Sequence, residues 1–152
     1  MNLVEKLLVR GMSISTAESI TGGMIASSIV NMPGASKVFK GSVVSYTKDA
    51  KCSLLDLTLE EIEKYGVYSH ETAKAMALAI IKKTGSSVAI STTGVAGPGP
   101  DENVEAGTVF YCLIVEDKIY SKYLNLNGNR NDVRRIAVTA ILADLEDIID
   151  KI

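Results

Sequence analysis

The chain predicts an α/β fold, a three-layer α/β/α sandwich with a mixed β-sheet in a single domain. Helix-spaced and strand-like stretches alternate along its first two-thirds, and a strand pair with a tight connection follows late. A length of 152 residues, with no repeat period, low-complexity segment or Pro/Ser-rich linker, fits one domain. A chain of this size buries roughly two-thirds of the surface exposed on unfolding.

Residues 2–10 set Leu3 with Leu7 and Val4 with Leu8 on one face, as a short amphipathic helix does. "SISTA" gives a short strand, and residues 22–31, "GGMIASSIVN", a helix stopped by "MPGAS". "FKGSVVSY" is rich in β-branched residues and strand-like, and "TKDAKCSLLD" follows as a short helix. Thr58 and Glu61 have capping-box spacing ahead of "IEKYG", which opens another. Residues 69–84 carry Ala73, Met76, Ala77, Ile80 and Ile81 at helical spacing and end in "KKTG", cations and then glycine. "SSVAIS" suits a buried strand. The Gly- and Pro-rich "TTGVAGPGPDENVEAG" cannot be regular for most of its length, and loops so long commonly carry function. "GTVFYCLIVE" and "IYSKYLNL" flank Asp117 and Lys118 as an antiparallel pair. A last helix, opened by "NGNRND", aligns Val133, Ile136, Ala137, Ala140, Ile141, Leu145, Ile148 and Ile149 in one stripe.

A net charge of -2 gives no broad attraction for nucleic acid or anionic membranes, and no aromatic-basic stripe occurs, so neither nucleic acid nor membrane is expected as a partner. Charged residues interrupt the N-terminal apolar run, so neither a signal peptide nor a membrane span is expected and the location expected is cytoplasmic. Cys52 and Cys112 lack any CxxC partner and read as reduced structural residues. With His70 the sole histidine, a His/Cys zinc site lacks ligands, and no metal or cofactor is expected.

"STAESITGG", residues 15–23, places a carboxylate, hydroxyls and two glycines where a strand hands over to a helix. Unsatisfied amides there suit an oxyanion, and Gly22 and Gly23 permit close approach, although Ser19 and Thr21 equally suit helix caps. "TGVAGPG", with Thr93 and Gly94 at its start, is a second glycine-rich turn after a strand, without the lysine of a P-loop. Two such loops at strand ends point to a nucleotide-sized or phosphorylated ligand. His70 falls in the first turn of a helix and reads as a surface residue, a poor triad member. A serine nucleophile with a lysine base is the remaining metal-free option, with Lys48 and Lys51 of "SYTKDAK" both candidates or simply solvated cations.

"TAESITGG", "PGASKVFKGSVVSYTKDAK", "GVYSHETAKAMA", "STTGVAGPGP", "GTVFY" and "NGNRNDVRRIA" together resemble, in order and spacing, the C-terminal domain of the CinA family, over nearly the whole chain. That family includes stand-alone nicotinamide mononucleotide (NMN) amidases. The resemblance implies hydrolysis of the NMN carboxamide to nicotinate mononucleotide and ammonia, without metal or cofactor. It implies Ser19 as nucleophile, Lys51 as general base and Tyr46 as a hydroxyl that orients or relays the proton. Amides around Thr21, Gly22 and Gly23 would hold the oxyanion, Thr93 and Gly94 would line the site, and Glu18 would orient the loop or a lysine. Arg130 would hold the 5'-phosphate, with Arg134 in reserve. A homo-oligomer is expected from homologous enzymes. The alternatives are a non-catalytic nucleotide-sensing or partner-binding module, or an amidase for another small amide. Two departures stand out. Where many members have an acidic stretch ending in Lys-Pro-Val before "GTV", this chain has "DENVEAG", and where many have Gly-Asp-Arg it has Gly128-Asn129-Arg130.

Overall fold

A computed structural model describes all 152 residues. Its frame is a five-stranded sheet of β1 (Ile14–Glu18), β2 (Phe39–Val44), β3 (Val88–Gly94), β4 (Thr108–Val115) and β5 (Lys118–Asn125), in the order β2-β1-β3-β4-β5. β1 runs parallel to β2 and β3, while β3-β4 and β4-β5 are antiparallel, so the mixed sheet expected from the sequence is present.

Helices cover both faces, as the three-layer expectation required. On one face lie α1 (Leu3–Val9), α2 (Met24–Val30) and α6 (Arg130–Asp150), whose apolar residues pack with Ile14, Ile90, Val109 and Leu113. On the other, α5 (His70–Thr84) packs Ala73, Met76, Ala77 and Ile80 against Ala17, Ala89, Cys112 and Ile114, flanked by α3 (Lys48–Leu55) and α4 (Leu59–Tyr65). β4 feeds both cores by alternation, Val109, Tyr111 and Leu113 to one and Cys112 and Ile114 to the other.

Local chemistry sets the ends. Asn2 and Asn129 form capping boxes with Glu5 and Asp132, and Ser69 caps α5, which closes on Gly85 in the left-handed conformation. The arginine-bearing turn at 128–130 thus keeps a firm helix start with Asn in the place of Asp. α2 begins at Met24 and not at Gly22, because Gly22 and Gly23 adopt φ of 57° and 99°, outside the helical region. β3 runs on to Gly94, so the irregular segment is 95–107. The turn after β4 falls at Glu116 and Asp117, one residue earlier than the sequence suggested. The helix-stopping "MPGAS" holds a short 3-10 turn over Ala35–Lys37.

Parallel pairing of β1 with β2 and β3 brings three carboxyl-terminal strand ends side by side at Glu18, Val44 and Gly94. The loops that follow them converge there.

Candidate active site

Glu18 ends β1 fully buried, and its carboxylate is saturated with donors from the chain itself. The Thr21 hydroxyl and the amides of Gly23 and Ile25 reach Oε1 at 2.7, 3.2 and 2.9 Å. Thr16, Ser42 and the Ala26 amide reach Oε2 at 3.0, 3.4 and 2.9 Å. The helix terminus expected to receive a ligand oxyanion is therefore occupied by an internal one. The Glu18 carboxylate accepts from the loop and the start of α2 that follow it and touches no lysine.

This corrects the oxyanion assignment. The Gly23 amide is spent on Glu18 and the Gly22 amide on the Ser19 carbonyl at 2.9 Å. The amides of Ile20 and Thr21 donate to no protein group, and Ile20 lines the adjoining cavity while Thr21 is buried. Arg134 fixes the Ile20–Thr21 and Thr21–Gly22 peptides, its Nε donating to the Ile20 carbonyl at 2.9 Å and its Nη2 to that of Thr21 at 3.3 Å. In a trans peptide the N–H points opposite to the C=O, so this grip turns the Thr21 amide away from Arg134. A Cβ at Gly22 would meet Arg134 Nη2 at 3.0 Å.

The sharp turn after Glu18 leaves Ser19 at the cavity edge, 5% exposed. Lys51, in the first turn of α3, extends to it from the neighbouring strand's connection. Its Nζ lies 3.0 Å from Ser19 Oγ and 2.8 Å from the Ser45 carbonyl, and the side chain is fully buried. With no carboxylate beside it, burial alone pulls the amine down from 10.5 to about 8. About a tenth is thus uncharged at pH 7 and about half at pH 8, and that form is able to take the serine proton. Of the two candidate lysines only Lys51 meets Ser19. Lys48 stays half-exposed on the first turn of α3.

The cavity beside Ser19 has a volume of about 380 Å³ and is walled by the Gly94–Asp101 loop, Tyr46, Tyr68 and Arg130. Gly94 allows the loop to leave the sheet: a Cβ there would lie 2.4 Å from the Thr108 carbonyl oxygen. Arg130, the first residue of α6, donates to the Gly97 carbonyl at 2.7 Å and to the Tyr46 hydroxyl at 2.5 Å. The amides of Ala96, Gly97 and Gly99 donate to no protein group and add backbone donors to that end. Tyr46, 53% exposed, bonds to neither Ser19 nor Lys51, so the proton-relay role expected for it gives way to contact with Arg130. Of the two arginines, Arg130 lines the cavity and Arg134 holds backbone.

Thr93 is fully buried and spends its hydroxyl on the Val67 carbonyl at 2.9 Å, away from the cavity, whereas Gly94 lines it. β-strand alternation was the signal available for that distinction. His70, expected at the surface, is half-buried edge-on to Phe110 and Tyr123 at 5.0 and 5.9 Å, with Nδ1 unpartnered. Sequence reasoning missed Tyr68 and Asp101, joined by a hydrogen bond of 2.6 Å from the phenol to Oδ2. Burial, then the Asp101 bond, holds the Tyr68 phenol well above its usual range, so it remains a donor. No helix is long and apolar enough to cross a membrane.

The family profile described as "CinA C-terminal domain" matches residues 1–149. The chain is 38% identical over 151 residues to the "Protein MG115 homolog" of Mycoplasma pneumoniae, covering 99% of this chain and 96% of that protein. It is 42% identical over 137 residues to a "Putative competence-damage inducible protein" of Clostridium botulinum strain Langeland, covering 90% of this chain but 34% of that longer protein. Its fold superposes with a TM-score of 0.93 on a crystal structure of a competence-damaged protein (CinA) superfamily protein from Escherichia coli, at 29% identity, covering 96% and 86% of the two chains.

Proposed function

Because the chain belongs to the CinA C-terminal domain family, we propose that it hydrolyses the carboxamide of NMN to nicotinate mononucleotide and ammonia through a Ser19–Lys51 pair. The observation that carries this reading is the buried, counterion-free amine 3.0 Å from a serine hydroxyl at the edge of a nucleotide-sized cavity.

The neutral Lys51 amine accepts the Ser19 proton as Oγ attacks the carboxamide carbon. The Ile20 amide, next to the nucleophile and unengaged, stabilises the resulting oxyanion, a contribution of about 3 to 4 kcal/mol per donor in well-studied hydrolases. The Lys51 ammonium then returns its proton to the departing nitrogen, and ammonia leaves an acyl ester on Ser19. Water, deprotonated by the same amine, cleaves the ester and restores both side chains. At the far end Arg130 and the loop amides of Ala96, Gly97 and Gly99 take the 5'-phosphate.

The test is ammonia release from NMN by the purified protein, with Ser19→Ala and Lys51→Ala as controls. Turnover by the parent and its loss in both variants is the expected result. A parent that binds NMN and releases no ammonia would instead favour a nucleotide-sensing module, and equal turnover in both variants would remove the mechanism.

A further inference from the structure

The cavity carries one side chain of each charge, and the two do not meet. Arg130 is held by neutral groups, the Tyr46 hydroxyl and the Gly97 carbonyl. Asp101 is held by the Tyr68 phenol through Oδ2 alone, and no cation approaches either of its oxygens within ion-pair distance. Its backbone is fixed as well: Asp101 and Val104 exchange hydrogen bonds of 3.0 and 2.8 Å across a turn whose two central residues, Glu102 and Asn103, have φ of 47° and 62°. This turn sits within the "DENVEAG" segment, and the rest of the cavity wall is apolar, hydroxyl or backbone.

A cavity offering a fixed carboxylate at one place and a guanidinium at another complements a ligand with both signs of charge. From this arrangement we infer that Asp101, positioned by Tyr68, is the residue that selects a positively charged pyridinium ring over a neutral ring of the same shape. The inference rests on the NMN reading above. In that ligand the phosphate supplies the negative charge for Arg130, and the quaternary ring nitrogen supplies the positive one. A quaternary nitrogen has no hydrogen to donate, so the carboxylate acts on it by charge alone. Tyr68 and Tyr46 add two phenol rings to the same wall, surroundings that favour a cationic ring.

The experiment compares NMN with its 1,4-dihydro form, whose ring is neutral, by calorimetric binding to Ser19→Ala protein, which does not consume the ligand. The expected result is tighter binding of NMN and a fall of about fivefold in that preference on adding Asp101→Asn, with the dihydro form little affected. Tyr68→Phe, which removes the bond that positions the carboxylate but keeps its charge, should lower the preference by less than Asp101→Asn does. An unchanged ratio in Asp101→Asn overturns the inference. So does an equal loss for both forms, which would mean that Asp101 reads the ribose hydroxyls common to them. Binding of neither form would overturn the NMN reading along with it, whereas binding with an unchanged ratio overturns the selection alone.

Discussion

Lys51 reaches Ser19 across the boundary between two parallel strands: the serine follows β1 and the lysine rises from the helix that follows β2, yet their functional atoms stand 3.0 Å apart. The backbone carbonyl of Ser45, one residue beyond β2, holds the amine from its other side at 2.8 Å. That carbonyl fixes the amine's position without supplying the negative charge that would keep it protonated.

The pH profile of NMN hydrolysis follows from this environment. With the amine lowered to about 8, kcat/KM should rise with pH through that value and level off above about 9. Lys51→Arg, which stays protonated, should be inactive throughout. Rates measured from pH 6 to 10 would count against the role if the profile were flat.

The same burial makes Lys51 a cost to stability. Its folded pKa lies below the unfolded value of 10.5, so between about 8 and 10.5 the unfolded chain binds more protons and stability rises with pH. Below that window the full penalty of about 3 kcal/mol applies, and above it none remains. Lys51→Met should therefore melt higher than the parent at pH 7, with the advantage shrinking toward pH 10.5, as followed by thermal denaturation at several pH values. A variant less stable at every pH would contradict the assignment.

Glu18 has the opposite balance, since six donors surround its carboxylate. Glu18→Gln keeps the shape but sets an NH2 group against amide donors, which should cost about 3 kcal/mol or more in urea unfolding. A change below about 1 kcal/mol would show that the charge is not what holds the turn.

The two arginines should separate in kinetics. Arg130→Ala should raise KM for NMN about 10- to 100-fold, as expected for a lost charge-assisted contact, and leave the weak turnover of the dephosphorylated riboside unchanged. Arg134→Ala releases the Ile20 and Thr21 carbonyls and should lower kcat for nucleotide and riboside alike. Identical effects from both variants would refute the division.

Tyr46→Phe should raise KM modestly and leave kcat within about threefold, because its hydroxyl meets Arg130 and not the reacting pair. A collapse of kcat would restore the proton-relay role.

Periodicity and punctuation made most of the fold legible. The helix at 70–84, the apolar stripe of α6 and the late strand pair follow from side-chain spacing, and "STAESITGG" marked the serine-bearing turn through its composition. What stayed hidden is relational. The choice of Lys51 over Lys48 depended on the resemblance to a family, because both lysines sit on one short helix and only packing against β1 buries one of them.

The sequence by itself determined the elements, the two-faced sheet and the glycine-rich ends of β1 and β3, because local propensity and burial patterns are written along the chain. Only the tertiary structure decided that Glu18 fills its own helix terminus, that Thr93 faces away from the cavity and that Asp101 stands on its wall. The physical reason is that electrostatic partnership and burial depend on which remote segments are brought together, here by placing β1 between β2 and β3.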